Sequence, residues 1–262
     1  MTATVLDYAV RRANSPEYIQ EDGTLLQDLV GAPSERDQET LVHVASSFQA
    51  ALSATGSAED NGIGVIIHCN DNHLRYPTSG FSGVYFDTSE GRQAQVRMNR
   101  GPAPGRTGPC GDNLRAFAYP YSRSDGMSGA AIVLCSIGAG SAFESSDKAG
   151  EVSLWRKQGN LSQSPEGLNT LGRYLSYMII HELMHAIPAS LPDSKAEIYG
   201  YVAIAGHNIG EVGGNPPSRN DRLHNADSFA FLAMAWYMNK YKFINGKAVW
   251  IPAKNNPPPD NL

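Results

Sequence analysis

The sequence predicts an α+β fold in which helices flank a block of short strands. Apolar residues recur at helical spacing from Asp37 to Ala54, and again around His181 and from Asn225 to Tyr241. Between the first helix and the last two, residues 62–134 contain short apolar runs separated by glycine and proline. Such runs are typical of strands and turns, so the helices and the strands occupy separate parts of the chain.

Length, composition and charge narrow the class of protein. The 262 residues suffice for one domain with a sizeable core, and hydrophobic residues make up 41% of them. The formal net charge of −5 argues against nucleic-acid binding, which usually needs a basic face. No apolar run approaches the roughly 20 residues that cross a bilayer, so we expect no membrane partner. The N-terminus lacks signal-peptide features, which predicts either a cytosolic protein or a processed form.

Along the chain, residues 1–30 show no clear pattern and are predicted to be an irregular lead-in. The helix from Asp37 to Ala54 follows, with Ser34 as its candidate N-cap. Residues 138–167 and 201–217 are rich in glycine and polar residues and are predicted loops. The predicted strands are Gly64–His68, Gly83–Asp87, Gln93–Arg97 and Ala130–Cys135.

The motif His181-Glu182-Leu-Met-His185 lies in an apolar stretch predicted to be a helix that begins near Glu166 or Asn169. Positions four apart share one helix face, so His181 and His185 can bind the same zinc ion. Glu182 stands beside them, where it can take a proton from a zinc-bound water. The motif therefore predicts a catalytic Zn²⁺ site.

A catalytic zinc site has three protein ligands and a water, so a third ligand is expected downstream. The metzincin extension of the motif is absent, since Pro192 occupies its third-ligand position. The candidates are Asp193, Glu197, His207, Glu211, Asp221, His224 and Asp227.

A second polar cluster and the cysteines allow several interpretations. His68 and His73 flank residues 70–72 and suggest a second metal site, although such loop clusters more often form turns. No C-x-x-C pair is present, so a cysteine zinc site is not expected. One disulfide with one free thiol, or three free thiols, would fit Cys69, Cys110 and Cys135.

Four segments together carry a family resemblance. The zinc motif is preceded by Ala131–Cys135 and followed by Tyr199-Gly200 and Asn225-Ala226-Asp227. Over about residues 130–240 the chain thus resembles the aspzincin metallo-endopeptidases, the deuterolysin and peptidyl-Lys metalloendopeptidase group of mostly secreted fungal enzymes. The resemblance implies a single zincin-like domain. An upper lobe, about residues 30–187, would hold a small twisted sheet and the active-site helix, and a loop-rich helical lower lobe, about 188–250, would precede a tail at 251–262.

The family's third ligand is an aspartate in G-T-x-D-x-x-Y-G, and this sequence has Ala196 at that position. Glu197 is one position away and its longer carboxylate can reach the same point, so we favour Glu197, with Asp193 as the alternative. Tyr199 matches the family's tyrosine, which implies a hydrogen bond to the oxyanion of the transition state. Asp227 matches an aspartate that forms an acidic substrate pocket in lysine-preferring relatives. An aspartate here could also cap the last helix.

The motif and the resemblance together imply a zinc endopeptidase that acts on peptide or protein substrates. Secretion is what the resemblance implies, and we expect a monomer. A strand within residues 130–136 is expected to pair with the extended substrate. The altered third-ligand motif favours an alternative, a secreted zinc-binding protein without peptidase activity. A third hypothesis is a chance motif in a protein that binds no metal.

Overall fold

The structure is a computed structural model, and it describes Pro102, Gly126 and residues 2–15, 23–32, 37–55, 64–77, 83–98, 108–111, 114–124, 128–135, 160–187 and 197–251. The helices of this part of the chain are α1 (Thr2–Ala13), α2 (Gly23–Val30), α3 (Gln38–Ala54), α4 (Leu175–Ala186), α5 (Tyr201–Ala205), α6 (Arg219–Leu223) and α7 (Ala226–Tyr237). The strands are β1 (Val65–His68), β2 (Leu74–Arg75), β3 (Val84–Asp87), β4 (Arg92–Gln93), β5 (Gln95–Arg97), β6 (Ala116–Arg123), β7 (Ser128–Leu134), β8 (Tyr241–Ile244) and β9 (Lys247–Trp250). Two 3-10 segments, Asn160–Gln163 and Gly167–Arg173, precede α4. The predicted α+β class is confirmed.

The strands form a four-stranded mixed sheet and a three-stranded antiparallel sheet, with β8 and β9 as a separate hairpin. In the larger sheet the order is β1-β7-β6-β4, with β1 parallel to β7 and β6 antiparallel to it. Both edges of β7 are therefore paired. The prediction that residues 130–136 offer a free edge to substrate is wrong for the described residues 130–135, because β1 and β6 already occupy the hydrogen-bonding groups of β7.

The helix α4 lies in the centre of the larger apolar core. It packs between α7 and the face of the sheet formed by β6 and β7. Its buried side chains include Met178, Ile180 and Leu183, and each such side chain contributes roughly 1.5–3 kcal/mol on burial. Every residue of α7 is buried, since α1, α2 and α4 all contact it. The metal motif is thus carried by a helix that its surroundings hold firmly.

The first hundred residues both confirm and correct the sequence-based elements. The helix predicted from Asp37 is confirmed as α3, but its N-cap is Asp37, which accepts a hydrogen bond from the backbone N–H of Thr40, and not Ser34. The irregular lead-in predicted for residues 1–30 is wrong, because α1 and α2 form there. Short helices are marginal by themselves, and the burial of residues such as Leu6 against the core stabilises α1.

Among the strands, the predictions for β1, β3 and β7 are confirmed. The strand predicted at Gln93–Arg97 is divided between β4 and β5, which belong to different sheets. The longest of the described strands, β6, was not predicted, because proline within a run argues against a strand. Pro120 is tolerated here because its backbone groups point away from β7, so its missing N–H removes no hydrogen bond between the two strands. Ala130 lies opposite Pro120 on β7, and its N–H accordingly bonds to the carbonyl of Gly64 at 3.1 Å.

Several boundaries in the last third of the chain also differ from expectation. The motif helix begins at Leu175 and not near Glu166 or Asn169, because Tyr174 is extended (φ −91°, ψ 146°). The last helix ends at Tyr237, since the chain turns into the β8–β9 hairpin, and α5 lies within the predicted loop 201–217. The boundary between the two predicted lobes stays a prediction, because residues 188–196 lie outside the described part.

The cysteines follow the first of the two interpretations. Cys110 and Cys135 form a disulfide, and Cys69 is free and exposed.

Within the described ranges, none of the helices combines the length and apolar character that crossing a bilayer requires.

Candidate metal centre

The two histidines of the motif lie side by side on α4, as their spacing predicts. Their ring centroids are 4.9 Å apart. His181 is buried, whereas the side chain of His185 retains about a third of its exposure. The helix therefore holds one imidazole inside the protein and leaves the other partly exposed at the surface.

Glu197 brings a carboxylate to both histidines. Its Oε1 lies 2.8 Å from Nε2 of His181 and 2.9 Å from Nε2 of His185. One ligand atom from each of these three residues lies within 4.8 Å of the others, so the group could hold a metal ion. Asp193, the alternative third ligand, lies outside the described residues. Glu197 is thus the carboxylate that the structure brings to the motif.

The remaining candidates for a third ligand belong to other interactions. Nε2 of His207 contacts Asp28 Oδ1 at 3.3 Å, and Nδ1 of His224 contacts the carbonyl of Asn220 at 2.7 Å. The three remaining carboxylates also lie outside the metal-holding group. Glu211 accepts a hydrogen bond from Asn208, and Asp221 accepts one from Ser218. Asp227 contacts His181.

The donor set fits zinc. Two imidazole nitrogens and one carboxylate oxygen are a usual protein ligand set for catalytic zinc. Nδ1 of His181 lies 2.6 Å from Oδ1 of Asp227, which leaves Nε2 as the ring atom directed toward Glu197. A carboxylate behind a histidine in this way fixes the ring and its tautomer. The residues present are therefore suited to a divalent cation of this type.

The charges of the group are mutually stabilised. Burial alone would lower the pKa of His181, but its hydrogen bonds with Asp227 and Glu197 prevail and raise that pKa to about 10. Burial would raise the pKa of Glu197, and its hydrogen bonds with His181 and His185 prevail, so that this pKa falls well below its usual range. A ligand imidazole must be unprotonated, so metal and proton compete for this site.

Glu182 is buried beside His181 and lines the cavity next to the metal group. Burial raises the pKa of its carboxyl group, and the neighbouring His181 and His185 oppose that rise. A carboxylate with a raised pKa is a better proton acceptor than one in water. The position and the chemistry both suit the predicted general base.

Tyr199 stands at the rim of the site. It is 65% exposed, and its ring stacks on that of His181 with the centroids 5.9 Å apart. Its hydroxyl donates a hydrogen bond to Oε2 of Glu197. Although much of the ring is exposed, desolvation of the hydroxyl raises the pKa of Tyr199, and its hydrogen bond to Glu197 raises that pKa further. The hydroxyl therefore keeps its proton and is a hydrogen-bond donor next to the metal group, although its partner in the structure is the side chain of Glu197.

Asp227 lies beneath the metal group with both carboxylate oxygens engaged. Oδ1 contacts His181, and Oδ2 accepts a hydrogen bond from the backbone N–H of Gly200 at 2.7 Å. The alternative of a helix cap is wrong, because the N-cap of α7 is Asn225 and the Asp227 side chain reaches other elements. Its predicted contact with substrate stays a prediction, and these two bonds favour a role in positioning.

The structure adds three residues that the sequence had not assigned. The side chain of Asn225 bonds both backbone groups of Ile198, donating to its carbonyl at 3.0 Å and accepting from its N–H at 3.1 Å. Asn169 accepts from the N–H of Tyr201 at 2.8 Å, and Tyr177 packs against His181 with ring centroids 6.4 Å apart. Of these contacts, only the pair of hydrogen bonds from Asn225 to Ile198 had a signal in the sequence, because Asn225 directly precedes Ala226-Asp227.

A cavity of about 450 Å³ opens beside the metal group. His181, Glu182 and Asp227 form one side of it. The other lining residues include the apolar Leu114, Tyr177, Met178 and Phe231 and the cationic Arg115 and Arg173. Its size is in the range of sites for small ligands or single side chains.

The second histidine cluster is a hydrogen-bonded junction. His68 and His73 stack with centroids 3.8 Å apart. Nε2 of His68 contacts Arg92 at 2.9 Å, and Nε2 of His73 contacts the hydroxyl of Tyr119 at 2.8 Å. Neither histidine belongs to a metal-holding group within the described residues. The turn interpretation is supported, since Oδ1 of Asn70 accepts from the N–H two residues later.

Fold and site together define an α+β protein with three side chains that could hold a metal ion. No protein-family model matches the chain, and no curated protein matches it. The resemblance to aspzincins therefore rests on the motif residues alone, and the activity it implies is a proposal.

Proposed function

We propose that this protein is a zinc-dependent endopeptidase of zincin-like fold, with His181, His185 and Glu197 as the zinc ligands. The observation that carries the proposal is the approach of one carboxylate oxygen to both imidazole nitrogens at 2.8 and 2.9 Å. Asp227 behind His181 and Glu182 at the cavity wall complete the arrangement. A catalytic site needs all of these groups, whereas a chance motif needs none of them.

When bound, zinc supplies a Lewis acid that polarises the peptide carbonyl and lowers the pKa of water. Glu182 accepts the proton of the attacking water and returns it to the leaving amine. Tyr199 donates a hydrogen bond from its hydroxyl to the developing oxyanion, for which it must release Glu197. Asp227 keeps the His181 ring in place throughout.

The free edge of β6 is the surface that suits an extended substrate. The carbonyl of Arg115 accepts a hydrogen bond from Cys135 N at 2.8 Å, so Arg115 faces β7. Backbone groups alternate in direction along an antiparallel strand, so those of Ala116 and Ala118 face away from β7. No described strand pairs with β6 on that side before Ser122. A peptide added there would run past the cavity, since residues 114–116 line it.

We further propose that the protein is secreted and acts as a monomer. The disulfide between Cys110 and Cys135 supports secretion, because such bonds persist mainly in oxidising compartments. The family resemblance also supports secretion.

One observation favours a second candidate function, a zinc-binding protein without peptidase activity. The hydroxyl of Tyr199 is engaged with Oε2 of Glu197. If this bond persists when substrate is present, the oxyanion lacks its predicted donor, and the site binds metal without turnover.

The test compares zinc content and cleavage of a peptide library for the wild type, Glu182→Gln and Glu90→Gln. Glu90 is exposed and is not among the residues that line the cavity, so its variant is a matched control. We expect bound zinc in all three proteins and cleavage in all but Glu182→Gln. Undiminished cleavage by Glu182→Gln would refute the mechanism. Zinc without any cleavage by the wild type would favour the second candidate, and absence of zinc would indicate a chance motif.

A further inference from the structure

The cavity beside the metal centre has one cationic side chain that no described residue neutralises. Arg173 is already paired, because it donates to both carboxylate oxygens of Glu166 at 2.5 Å. Arg115 is exposed, and its guanidinium group has no hydrogen bond or ion pair within the described part of the chain. Among the described residues that line the cavity, Arg115 therefore carries the positive charge that remains available to a ligand.

The backbone of Arg115 is held in place, although none of the described residues bonds to its side chain. Its carbonyl accepts from Cys135 N at 2.8 Å, and Cys135 is cross-linked to Cys110. The guanidinium thus extends from a fixed point at the start of β6. A charged group on a fixed base loses less freedom on binding than one on a mobile loop.

The rest of the cavity does not suit a cationic side chain. Both oxygens of Asp227 already bond to His181 and Gly200, so a lysine would have to share this carboxylate with them. The walls are largely apolar, with Met178 and Phe231 among them. A ligand with an apolar stem and an anionic head matches this combination.

We propose that Arg115 determines specificity by binding a carboxylate of the substrate, with an acidic side chain seated in the cavity as the preferred source. This inference rests on the proposed peptidase function. The planar guanidinium group donates two parallel hydrogen bonds to a carboxylate, which gives both affinity and orientation. A free C-terminal carboxylate would offer the same chemistry, and the experiment below separates the two sources.

The experiment measures kcat/KM for matched peptides that differ only in having Glu or Gln next to the cleaved bond. Each peptide is used with an amidated and with a free C-terminus. We expect the wild type to favour Glu by about tenfold, the size expected of one exposed charge-assisted contact. Arg115→Gln should remove this preference, and Arg115→Lys should restore part of it. Arg97→Gln, which removes an exposed charge on β5, should retain the full preference.

Two outcomes concern the source of the carboxylate and the role of Arg115. A preference that follows the free C-terminus and disappears in Arg115→Gln supports carboxylate binding, with the chain end as the source. An unchanged preference in Arg115→Gln, or no preference in the wild type, overturns the inference.

A binding measurement keeps the inference testable if no peptide is cleaved, in which case the proposed activity itself has failed. Fluorescence anisotropy then compares binding of labelled Glu and Gln peptides to Glu182→Gln and to Glu182→Gln/Arg115→Gln. Tighter binding of the Glu peptide that depends on Arg115 supports the inference independently of catalysis. Equal affinities, or no binding, overturn it.

Discussion

Asp227 and His181 are joined by a 2.6 Å contact between Oδ1 and Nδ1, although 46 residues separate them in the chain. The other oxygen of Asp227 bonds to the N–H of Gly200, in the segment that carries Glu197. One buried carboxylate therefore connects the motif helix, the start of α7 and the loop of the third ligand. The relative positions of two proposed zinc ligands depend on this residue.

We predict that Asp227→Asn weakens zinc binding by about 10–100-fold, the usual effect of losing a carboxylate behind a ligand histidine. The substitution removes the negative charge and leaves one side-chain oxygen, which cannot replace the two oxygens that contact His181 and Gly200. Zinc affinity is measured by competition with a chromophoric chelator. Asp221→Asn, at a partly exposed site on α6, is the control and should bind zinc as the wild type does.

We predict that Glu197→Ala weakens zinc binding by at least about 100-fold, because a ligand contributes more than its supporting partners do. Glu197→Asp should retain intermediate affinity, since it keeps the charge but shortens the reach. The same chelator competition gives the values, and anomalous scattering at the zinc edge identifies the ligands directly. Wild-type affinity in Glu197→Ala would show that another residue, such as Asp193, completes the site.

We predict that Asn225→Ala lowers the free energy of unfolding by about 2 kcal/mol. The substitution removes a buried amide and leaves the N–H and C=O of Ile198 without their partner, and each unsatisfied group costs about 1–3 kcal/mol. Urea denaturation of the metal-free protein measures the loss. Zinc binding should weaken as well, because Ile198 follows Glu197. A free energy of unfolding unchanged within error would argue against the two hydrogen bonds between Asn225 and Ile198.

We predict that reduction of the Cys110–Cys135 bond lowers the free energy of unfolding by about 3.5 kcal/mol, the value expected for a loop closed over a separation of 25 residues. Unfolding with and without reductant measures the change. Cys69→Ser should behave as the wild type under both conditions, because Cys69 is free and exposed. A reductant effect of the same size in Cys110→Ser/Cys135→Ser would assign it to something other than this bond.

The stacked pair of His68 and His73 predicts a loss of stability in acid. Burial lowers the pKa of His68 to about 4, with help from the charges of His73 and Arg92 and against the charge of Asp87. The folded state thus binds fewer protons than the unfolded state between pH 6.5 and about 4. Stability from this residue is present above pH 6.5 and is lost as the pH falls through that window.

Denaturation curves at several pH values test this dependence. His68→Asn should show a shallower decline of the free energy of unfolding between pH 6.5 and 4 than the wild type. His224→Asn is the matched control, since its ring lies on another part of the molecule and bonds a carbonyl of α6. Identical slopes for His68→Asn and the wild type would contradict the assignment.

The sequence by itself determined the elements whose pattern is local. The spacing of His181 and His185 places both on one face of a helix, with Glu182 beside His181, wherever that helix lies. The periodicity of α3 and the β-branched run of β1 likewise required no tertiary information. Glu197 was favoured as the third ligand from its position and its reach, and the structure brings this carboxylate to the histidines.

Only the tertiary structure decided the relationships between distant segments. The role of Asp227 depends on packing α7 against α4, and the identity of the free edge depends on where β6 lies in the sheet. Helix α1 forms because the core buries one side of it, and the β6 strand forms despite Pro120 because that residue faces away from β7. The periodicity of apolar residues indicates which face of a helix or strand will be buried. It does not indicate which other helix or strand will pack against that face.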